Sequence, residues 1–356
     1  MRIVILGLTI TSSWGNGHAT TYRGLVRGLT RRGHEVLFLE RDRPWYADNR
    51  DLPAAPFGDT QLYRSVAELD RWAAQIAGAD LVILGSYVPD GIDIGRRLQR
   101  DAPGLVAFYD IDTPVTLAAL ADGSCDYLTP ELLRGYGLYL SFTGGPTLTY
   151  LERTLGAPAA RALYCSADPE VYRPDPDAAA RWDLGYLGTY SPDRQPALER
   201  LLRDPARAWA AGRFVVAGPQ YPDGIAWGSV TRMEHVAPDA HRAFYTAQRF
   251  TLNVTRADMV RRGYSPSVRL FEAACCGVPI ISDAWPGLDA FFHPGTEIIV
   301  ADTAADVLAA LRDMPEARRQ AIGAAGRARV LAAHTGDHRA AELEAYVHEA
   351  LARVAA

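Results

Sequence analysis

The chain has 356 residues, of which 48% are hydrophobic and 22% charged, and its formal net charge is −5. This length suits two globular domains better than one, because a domain takes roughly 100–200 residues. The negative net charge and the absence of a lysine- or arginine-rich block argue against nucleic acid as a partner. No run reaches the ~20 apolar residues of a membrane span, so we expect no transmembrane segment.

The first half of the chain alternates short apolar runs with helical patterns. The opening MRIVILGLTI has one charge and no small-x-small cleavage site, and it predicts a buried strand rather than a signal peptide. Strands are predicted at 2–8, 34–40, 79–86, 104–112, 138–143 and 160–166, and helices at 19–33, 65–77, 91–103 and 146–156. Near-continuous apolar strands that alternate with helices predict a parallel sheet covered on both faces.

The second half repeats this alternation after a break. Residues 167–182 hold three prolines and several acids and are predicted to be an interdomain linker. Strands follow at 183–188, 213–218, 250–255, 278–283 and 296–301, and helices near 194–204, 238–248, 266–276, 286–292, 303–312, 315–334 and 337–354. The pattern predicts an α/β protein of two Rossmann-like parallel-sheet domains that face a cleft, at 1–166 and 183–336. The last helix, within 337–356, either crosses back to the first domain or forms a dimer surface.

The four cysteines bear on the compartment. They are Cys125, Cys165, Cys275 and Cys276, and no pair of them has metal-ligand spacing. They suit small apolar core positions in a reducing compartment, so we expect a cytoplasmic protein with no metal site.

Ligands on parallel sheets bind outside the carboxyl ends of the strands, so the loops that follow strands are the places to look for chemistry. After the first strand, TSSWGNGHA places Gly15, Asn16 and Gly17 where the backbone can approach a ligand on the acceptor side of the cleft. His18 stands at the start of the next helix. It is either a capping or surface histidine, or a base or sugar contact that needs an orienting acid.

The same loop leaves a dinucleotide site open. A Gly-x-Gly-x-x-Gly fingerprint that starts at Gly15 fails at Thr20. Glu40, however, ends the second strand, where a ribose-binding acid stands in dinucleotide sites. A dinucleotide-dependent oxidoreductase therefore remains an alternative.

The fourth predicted strand ends in YDIDTP, with Asp110 and Asp112 two residues apart and on one side if the strand continues. They are either loop-capping aspartates or carboxylates that face the cleft. A carboxylate there would orient His18, act as a base or bind sugar hydroxyls. An Asp-x-Asp pair also binds divalent metals, but two residues are weak evidence for a metal.

The stretch YSPSVRLFEAACCGVPIIS predicts an anion site at a helix start. Ser265 suits the N-cap and Pro266 the first helical position, so that the amide of Ser267 and its neighbours face the cleft. Arg269 and Glu272 share one face of this helix. Either they pair with each other, or Glu272 accepts hydrogen bonds from ribose hydroxyls while Arg269 meets phosphate or braces Glu272.

Two further loops border the same predicted site. In TLNVTRADM, Asn253 comes late in a strand and Arg256 just beyond it, where a cation suits a diphosphate leaving group. In GYLGTYSPDRQ, Gly188, Thr189 and Tyr190 follow the first strand of the second domain and are placed to line the same nucleotide.

These motifs resemble a known family. RLFEAACCGVPIISD is similar to the donor-site helix of GT-B glycosyltransferases. Together with WDLGYLGTYSPDRQ, TLNVTR and YDIDTP it resembles the CgeB-like (spore maturation) glycosyltransferases, over nearly the whole chain and most strongly over 182–300. The resemblance implies a hexosyltransferase whose C-terminal domain holds a uridine or thymidine diphosphate sugar. It also implies that the N-terminal domain holds a small-molecule, glycan or protein acceptor.

The resemblance also suggests roles for residues. Glu272 would bind the donor ribose, while Arg256 and Arg269 would serve the diphosphate together with the amides near Ser267, without a metal or a resident cofactor. Many retaining GT-B enzymes carry a second glutamate eight positions earlier, but here that position is Tyr264. This departure puts retaining chemistry of that pattern in doubt.

GNGHATTYRGLVRGLTRRGHEV is similar to the opening of inverting GT-B enzymes, in which a histidine after the first strand acts as base with an aspartate from a later strand. His18 matches that histidine, and Asp110 or Asp112 would be its partner. A nucleotide-sugar epimerase or hydrolase on the same fold, and a sugar-binding protein without activity, remain alternatives.

Overall fold

The computed structural model describes residues 1–14 and 17–355, so the predicted ligand contacts at Gly15 and Asn16 lie outside the described residues. The chain divides into two compact units. The first unit comprises Met1–Cys165 and Gly336–Ala356, and the second comprises Ser166–Thr335.

The first unit is built on a seven-stranded parallel sheet with the order β3-β2-β1-β4-β5-β6-β7. Its strands are β1 (Arg2–Gly7), β2 (Glu35–Arg41), β3 (Asp59–Tyr63), β4 (Leu81–Gly85), β5 (Leu105–Asp110), β6 (Leu138–Ser141) and β7 (Ala160–Ala162). Its helices are α1 (His18–Arg31), α2 (Pro44–Ala47), α3 (Ala73–Ala77), α4 (Gly91–Asp101), α5 (Thr113–Asp122), α6 (Pro130–Gly135) and α7 (Pro146–Arg153), with a 3-10 segment at Val66–Trp72.

The second unit carries a six-stranded parallel sheet with the order β10-β9-β8-β11-β12-β13. Its strands are β8 (Trp182–Leu187), β9 (Phe214–Ala217), β10 (Thr231–Met233), β11 (Gln248–Asn253), β12 (Ile280–Ser282) and β13 (Ile299–Val300). Its α-helices are α8 (Gln195–Leu198), α9 (Asp204–Ala208), α10 (His241–Thr246), α11 (Ala257–Arg262), α12 (Val268–Cys275), α13 (Ala304–Leu308) and α14 (Glu316–Ala333). Shorter 3-10 segments lie at Pro238–Ala240 and Leu288–Ala290, and π-helical turns at Glu199–Arg203 and Ala309–Asp313.

The central strands of the first sheet are apolar on both faces. In β1, Ile3 and Ile5 pack into the core on one face of the sheet, while Val4 and Leu6 pack into the core on the other face. Every residue of β4 is buried. A strand that is apolar on both sides is stable only when helices cover both faces, which explains the alternation of helices and strands.

The strand orders confirm the predicted class of two Rossmann-like domains. The first six strands of each sheet follow the doubly wound order 3-2-1-4-5-6. In such sheets the order reverses between the first and fourth strands, and the crevice beside their carboxyl ends is the usual ligand site. This switch point lies between β1 and β4 in the first unit and between β8 and β11 in the second.

The last helix, α15 (Gly336–Ala355), belongs to the first unit and packs along α1. Arg32 Nε donates to Glu344 Oε2 at 2.8 Å, and Arg161 Nε donates to Glu349 Oε2 at 3.0 Å. The helices approach closely because Gly28 faces the carbonyl oxygen of Gly336.

The segment 167–182, which the sequence predicts to be a linker, lies within the second unit. Tyr172 is buried there, with its ring 6.5 Å from that of Tyr245. Arg242 Nε donates to the carbonyl oxygen of Arg173 at 3.0 Å. Burial of one tyrosine and backbone bonding therefore fix a stretch whose prolines suggest an extended connection.

The contact between α1 and α15 gives the first prediction. A Cβ at position 28 would stand 2.6 Å from the Gly336 carbonyl oxygen, so Gly28→Ala forces the two backbones apart. We expect a loss of about 1–3 kcal/mol in the free energy of unfolding, measured by urea denaturation. Gly224→Ala is the control, because a Cβ there meets nothing within 4 Å. Equal stabilities of the two variants would contradict the close packing of these helices.

Candidate functional site

Asn253 ties together the switch point of the second unit. It is the last residue of β11 and is fully buried. Its Oδ1 accepts hydrogen bonds from Ser267 Oγ at 2.9 Å and from Arg269 Nη1 at 3.1 Å. Its Nδ2 donates to Ser282 Oγ at 3.0 Å and to Thr255 Oγ1 at 3.2 Å. One amide thus links the ends of two strands to the start of α12.

Arg269 is held at the carboxyl end of β8. Its Nε donates to the carbonyl oxygen of Leu187 at 2.6 Å, and its guanidinium lies 4.8 Å from the centre of the Tyr186 ring. A Cβ at Gly188 would stand 2.7 Å from Arg269 Nη2. The predicted residues Gly188, Asn253 and Arg269 are therefore neighbours, and the missing side chain at 188 makes room for the guanidinium.

Arg194 lies close to both Arg269 and Arg256. Burial lowers the pKa of Arg194, and the like charges of Arg269 and Arg256 lower it further. Arg194 Nη2 donates to the carbonyl oxygen of Thr189 at 2.6 Å. The carboxylate of Asp193 faces Arg194 and Arg256, so these four residues still carry more positive than negative charge. Guanidinium groups that repel one another where water is partly excluded are stabilised by a bound anion, so these residues form a candidate anion site.

The sequence reasoning missed Arg194, although the quoted motif GYLGTYSPDRQ stops one residue beyond it. A single arginine at the start of a predicted helix carries no signal of its own. The loop that begins at Gly188 returns Arg194 to the same edge of the sheet as Arg256 and Arg269.

Glu272 lies one turn further along α12 and is only 5% exposed. Tyr245 Oη donates to Glu272 Oε2 at 3.2 Å, and the charge of this carboxylate also reaches the buried Tyr172, whose pKa burial raises first. Burial first, and then the charge of Glu272, raise the pKa of Tyr245 well above its usual value. Arg269 is bonded elsewhere, and among the described residues no ion pair joins it to Glu272. The structure therefore separates two residues that sequence reasoning allowed to pair.

The start of this helix differs from the prediction. Ser267, and not Ser265, is the N-cap residue of α12, whose first helical residue is Val268. The Ser267 hydroxyl makes no capping bond because it donates to Asn253 instead. Ser265 is buried before the helix begins.

The loop after β8 is fixed by backbone bonds. Gly188 N donates to the Ala217 carbonyl oxygen at 2.8 Å, and Tyr190 N donates to that of Pro219 at 3.0 Å. The ring of Tyr190 meets the ring of Tyr221 edge-on at 5.4 Å. The loop thus borders the arginine group from the β9 side.

In the first unit, Glu40 serves a structural purpose. It is 0% exposed, and it accepts hydrogen bonds from Ile10 N at 2.7 Å, Thr11 N at 2.9 Å and Thr11 Oγ1 at 2.6 Å. These bonds fasten the loop that follows β1. In this conformation the carboxylate of Glu40 accepts hydrogen bonds from the loop after β1, whereas the dinucleotide alternative needs it to accept them from a ribose.

His18 is the first residue of α1, and Gly17 is its N-cap residue. The half-buried imidazole meets the ring of Tyr87 edge-on, with 5.5 Å between ring centres. Burial lowers the pKa of His18 to about 4, so the ring is neutral at pH 7. A neutral imidazole can accept a proton, but this low pKa makes it a weak base.

Asp110 and Asp112 occupy different environments. Asp110 ends β5 and is 0% exposed, with Tyr139 Oη 2.6 Å from Oδ2 and Thr116 Oγ1 2.7 Å from Oδ1. Burial raises the pKa of Asp110 to about 6. Asp112 is half-buried at the start of α5, and Tyr87 Oη donates to its Oδ2 at 3.3 Å. The strand ends at Asp110, so strand alternation does not carry both carboxylates to one side.

Among residues 1–14 and 17–355, no group of three or more His, Cys, Asp and Glu side chains is arranged to hold a metal ion. In that same part of the chain, every helix is too short or too polar to cross a membrane.

Comparison with known families gives a partial match. Residues 194–345 match the model of the family described as "Glycosyl transferase-like", which is less than half of the chain. The matched range contains Arg194, Asn253, Arg256, Arg269 and Glu272. No curated protein sequence matches the chain.

Solved structures match the whole fold. A sucrose-phosphate synthase from Thermosynechococcus elongatus shares 16% identity with a TM-score of 0.69 over 99% of both chains. Anabaena Alr3699/HepE in complex with UDP and glucose shares 12% identity with a TM-score of 0.69, over 98% of this chain and 100% of that one. An alpha-glucosyltransferase in complex with UDP and a 13-mer DNA shares 12% identity with a TM-score of 0.71, over 98% and 99%. At these identities the likeness establishes the fold.

Asp110 gives a prediction for pH dependence. Its pKa is higher in the folded chain than its usual 3.8, so the folded state binds this proton more tightly than the unfolded state. The contribution of Asp110 to stability is therefore fully present below pH 4 and is lost as the pH rises to 6. Its share of the slope is at most about 1.4 kcal/mol per pH unit.

Asp110→Asn removes this titration. Urea denaturation at pH values between 4 and 6 should show a less negative slope of unfolding free energy against pH for Asp110→Asn than for wild type. Identical slopes would contradict the raised pKa. Asp70→Asn, at an exposed position of the same unit, is the control.

Proposed function

We propose that the protein is a glycosyltransferase that moves a sugar from a nucleotide-diphosphate donor to an acceptor hydroxyl, with the donor in the second unit. One observation carries this proposal: Arg194, Arg256 and Arg269 converge at the switch point of that unit, with the buried carboxylate of Glu272 one helical turn away. Three guanidinium groups beside a carboxylate suit a ligand in which a diphosphate group is attached to a sugar with free hydroxyls.

The arginines match a diphosphate in charge and geometry. A guanidinium binds phosphate oxygens with two parallel hydrogen bonds, and the binding gains strength where water is partly excluded. The first amides of α12 add donors beside Arg269, at the positive end of the helix dipole. Together they would stabilise the charge that develops as the diphosphate departs, so the mechanism that we propose requires no metal.

Glu272 matches a ribose. An ionised carboxylate only accepts hydrogen bonds, and each of the two vicinal hydroxyls of ribose can donate one to its oxygens. Tyr245 fixes the orientation of Glu272 through its hydroxyl. This support would hold the carboxylate in place before a nucleotide arrives.

Similarity supports the same choice of ligand. The family match over 194–345 includes the arginine group, and several structures with the same fold contain UDP or UDP-glucose. We therefore infer a uridine diphosphate hexose as the first donor to test, and a thymidine diphosphate sugar as the second. The CgeB-like motifs remain the basis for assigning a subtype.

The chemistry on the acceptor side would take place in the first unit. A base removes the proton of the acceptor hydroxyl, the oxygen forms a bond to the anomeric carbon, and the bond from that carbon to the diphosphate breaks. We propose Asp112 as this base, because Asp110 is fully buried inside the unit. Tyr87 contacts both Asp112, through its hydroxyl, and His18, through its ring. Tyr264 stands eight positions before Glu272 and supplies no carboxylate, which favours a mechanism that uses such a base.

The acceptor is inferred to be a small molecule, a glycan or a protein. Three structures of an alpha-glucosyltransferase with the same fold contain DNA, but this chain has a net charge of −5 and no basic block. The electrostatic attraction that carries DNA binding is thus weak here. None of the four cysteines forms a disulfide and three of them are buried, which favours a reducing compartment such as the cytoplasm.

A panel of nucleotides tests the proposal by thermal shift. A ligand at 100 times its dissociation constant stabilises the native state by about 2.7 kcal/mol. We expect stabilisation by uridine or thymidine diphosphate and by their sugars. Arg194→Gln and Glu272→Ala should each weaken this binding about 10-fold or more, because each loses a charged hydrogen bond. Arg207→Gln, at an exposed position of the same unit, should bind as wild type.

One result of this thermal-shift experiment would overturn the proposal. Stabilisation by dinucleotides alone, unchanged in Arg194→Gln and Glu272→Ala, would place the ligand elsewhere. Product analysis then separates the reactions: a transferase needs an acceptor to form a new glycoside, while a hydrolase or an epimerase consumes the donor without one.

A further inference from the structure

Arg256 stands between two residues whose backbone amides donate to acidic side chains. Thr255 N donates to Asp283 Oδ2 at 3.0 Å, and Ala257 N donates to Asp193 Oδ2 at 2.8 Å. Arg256 itself follows β11 and is the N-cap residue of α11, with an extended backbone (φ −64°, ψ 145°). The loop that presents this arginine is therefore held on both sides by acids.

The first acid follows the neighbouring strand β12. Asp283 and Thr255 are both buried. Thr255 Oγ1 donates to Asp283 Oδ1 at 2.8 Å, so the amide and the hydroxyl of Thr255 are bonded to one carboxyl group. Asn253, whose Oδ1 accepts from Arg269, donates to the same hydroxyl at 3.2 Å. Asp283 thus fastens the loop after β11 to the end of β12.

The second acid belongs to the loop after β8. Asp193 lies in a turn in which Arg194 N donates to the Ser191 carbonyl oxygen at 3.1 Å. Ser191 Oγ donates to Asp193 Oδ1, while Asp193 Oδ2 accepts from the Ala257 amide. Asp193 therefore joins the turn that carries Arg194 to the helix start that carries Arg256.

An acidic side chain is unfavourable by its charge in a site for an anion, because it repels a bound diphosphate. Neutral groups are able to hold an arginine at this edge of the sheet, as Asn253 and the Leu187 carbonyl hold Arg269. The backbone bonds give the acids a purpose that offsets their charge. A carboxylate accepts from an N–H group with roughly twice the strength of a neutral acceptor.

We propose that Asp193 and Asp283 are positioning residues for the donor diphosphate, because together they fix the backbone on both sides of Arg256 before a ligand arrives. A loop that is already fixed in its bound conformation loses less conformational entropy on binding, which improves affinity. The role toward a diphosphate rests on the function proposed above, whereas the hold on the loop does not. Sequence reasoning gave neither acid a role, although both lie in motifs that it used.

Two variants of Asp193 separate its charge from its hydrogen bond. Asp193→Asn and Asp193→Ala remove the same negative charge, but only asparagine keeps an oxygen that accepts from the Ala257 amide. Hydrogen exchange at this amide, followed by NMR in the ligand-free chain, should be about fivefold faster in Asp193→Ala than in Asp193→Asn, since one bond no longer opposes local opening. Equal exchange rates would overturn the hold of Asp193 on the loop.

Binding of uridine diphosphate, measured by isothermal titration calorimetry, tests the consequence for the site. Asp193→Asn should bind at least as tightly as wild type, because it loses a charge that repels the diphosphate. Asp193→Ala should bind about fivefold more weakly than Asp193→Asn, although the two variants carry the same net charge. Equal affinities would mean that Asp193 acts only as a counter-charge, and would overturn the proposal.

Variants of Thr255 test the hold of Asp283 without replacing a buried acid. Thr255→Val keeps the backbone amide but loses the hydroxyl that donates to Asp283, and it should weaken the binding of uridine diphosphate about fivefold. Thr255→Ser retains the hydroxyl and should restore the affinity of wild type. Equal affinity of Thr255→Val and wild type, or equal weakening in both variants, would overturn the role of Asp283.

Asp306 supplies the matched control. Its carboxylate accepts from Thr303 N at 2.9 Å and from Asp302 N at 3.1 Å at the start of α13, so it makes the same kind of bond in the same unit. Asp306→Asn and Asp306→Ala should differ in thermal stability but bind uridine diphosphate as wild type does. A difference in affinity between them as large as that between the Asp193 variants would attribute the weaker binding to lost stability and overturn the proposal.

Failure of the positioning role and failure of the proposed function give different results. If neither uridine diphosphate nor inorganic pyrophosphate binds the wild-type chain, the donor site is rejected and the positioning role with it, whatever the exchange rates. If wild type binds and the two Asp193 variants have equal affinity, the donor site is retained and only the positioning role is rejected.

Discussion

Repulsion among three guanidinium groups is the constraint on which the second unit depends. Arg194, Arg256 and Arg269 share one edge of a parallel sheet, although burial makes their mutual repulsion more costly. Asn253 and the Leu187 carbonyl hold Arg269, and the Thr189 carbonyl holds Arg194. These neutral acceptors hold two of the cations without cancelling their charge, and the carboxylate of Asp193, which faces Arg194 and Arg256, offsets one of the three positive charges.

The fold explains why this group can form. The strand order of the second sheet reverses between β8 and β11, so the loops that follow these strands diverge and leave a crevice. Arg194 comes from the first loop, Arg256 from the second, and Arg269 from the helix that leads to β12. The residues are far apart along the chain, and only the parallel arrangement brings them to one edge.

The first unit has the same strand order but a different chemistry at its switch point. Its groups are a neutral imidazole, two carboxylates in unlike environments, and tyrosine and threonine hydroxyls that donate to these carboxylates. Such groups exchange protons and do not attract a polyanion. In the function that we propose, the second unit binds the diphosphate and the first unit accepts the proton of the acceptor hydroxyl.

Much of the fold could be predicted from the sequence, because central strands such as β1 and β4 are apolar on both faces. The edge strands β3 and β10 escaped prediction, since DTQLY and TRM are polar or short and one side of each lacks a partner strand. Local rules misplaced the start of α12, where the hydroxyl of Ser267 bonds to a distant amide. They also assigned a ligand role to Glu40, whose carboxylate accepts hydrogen bonds from Ile10 and Thr11 in the loop after β1.

Within the site, helix spacing placed Arg269 and Glu272 on one face, but their partners lie on other elements and have no local signal. Arg194 and Tyr87 were missed for the same reason. Their importance comes from which side chains the tertiary fold sets beside them: two other arginines in one case, and Asp112 with His18 in the other. Residue type and spacing identify candidates for a site, whereas the charge balance among them requires the folded chain.

The most direct test of the central claim is a crystal structure of the chain with uridine diphosphate. The account predicts both phosphates within hydrogen-bond distance of Arg194, Arg256 and Arg269, and the ribose hydroxyls against Glu272. A diphosphate bound in the first unit beside the loop after β1, with the three arginines unoccupied, would contradict it.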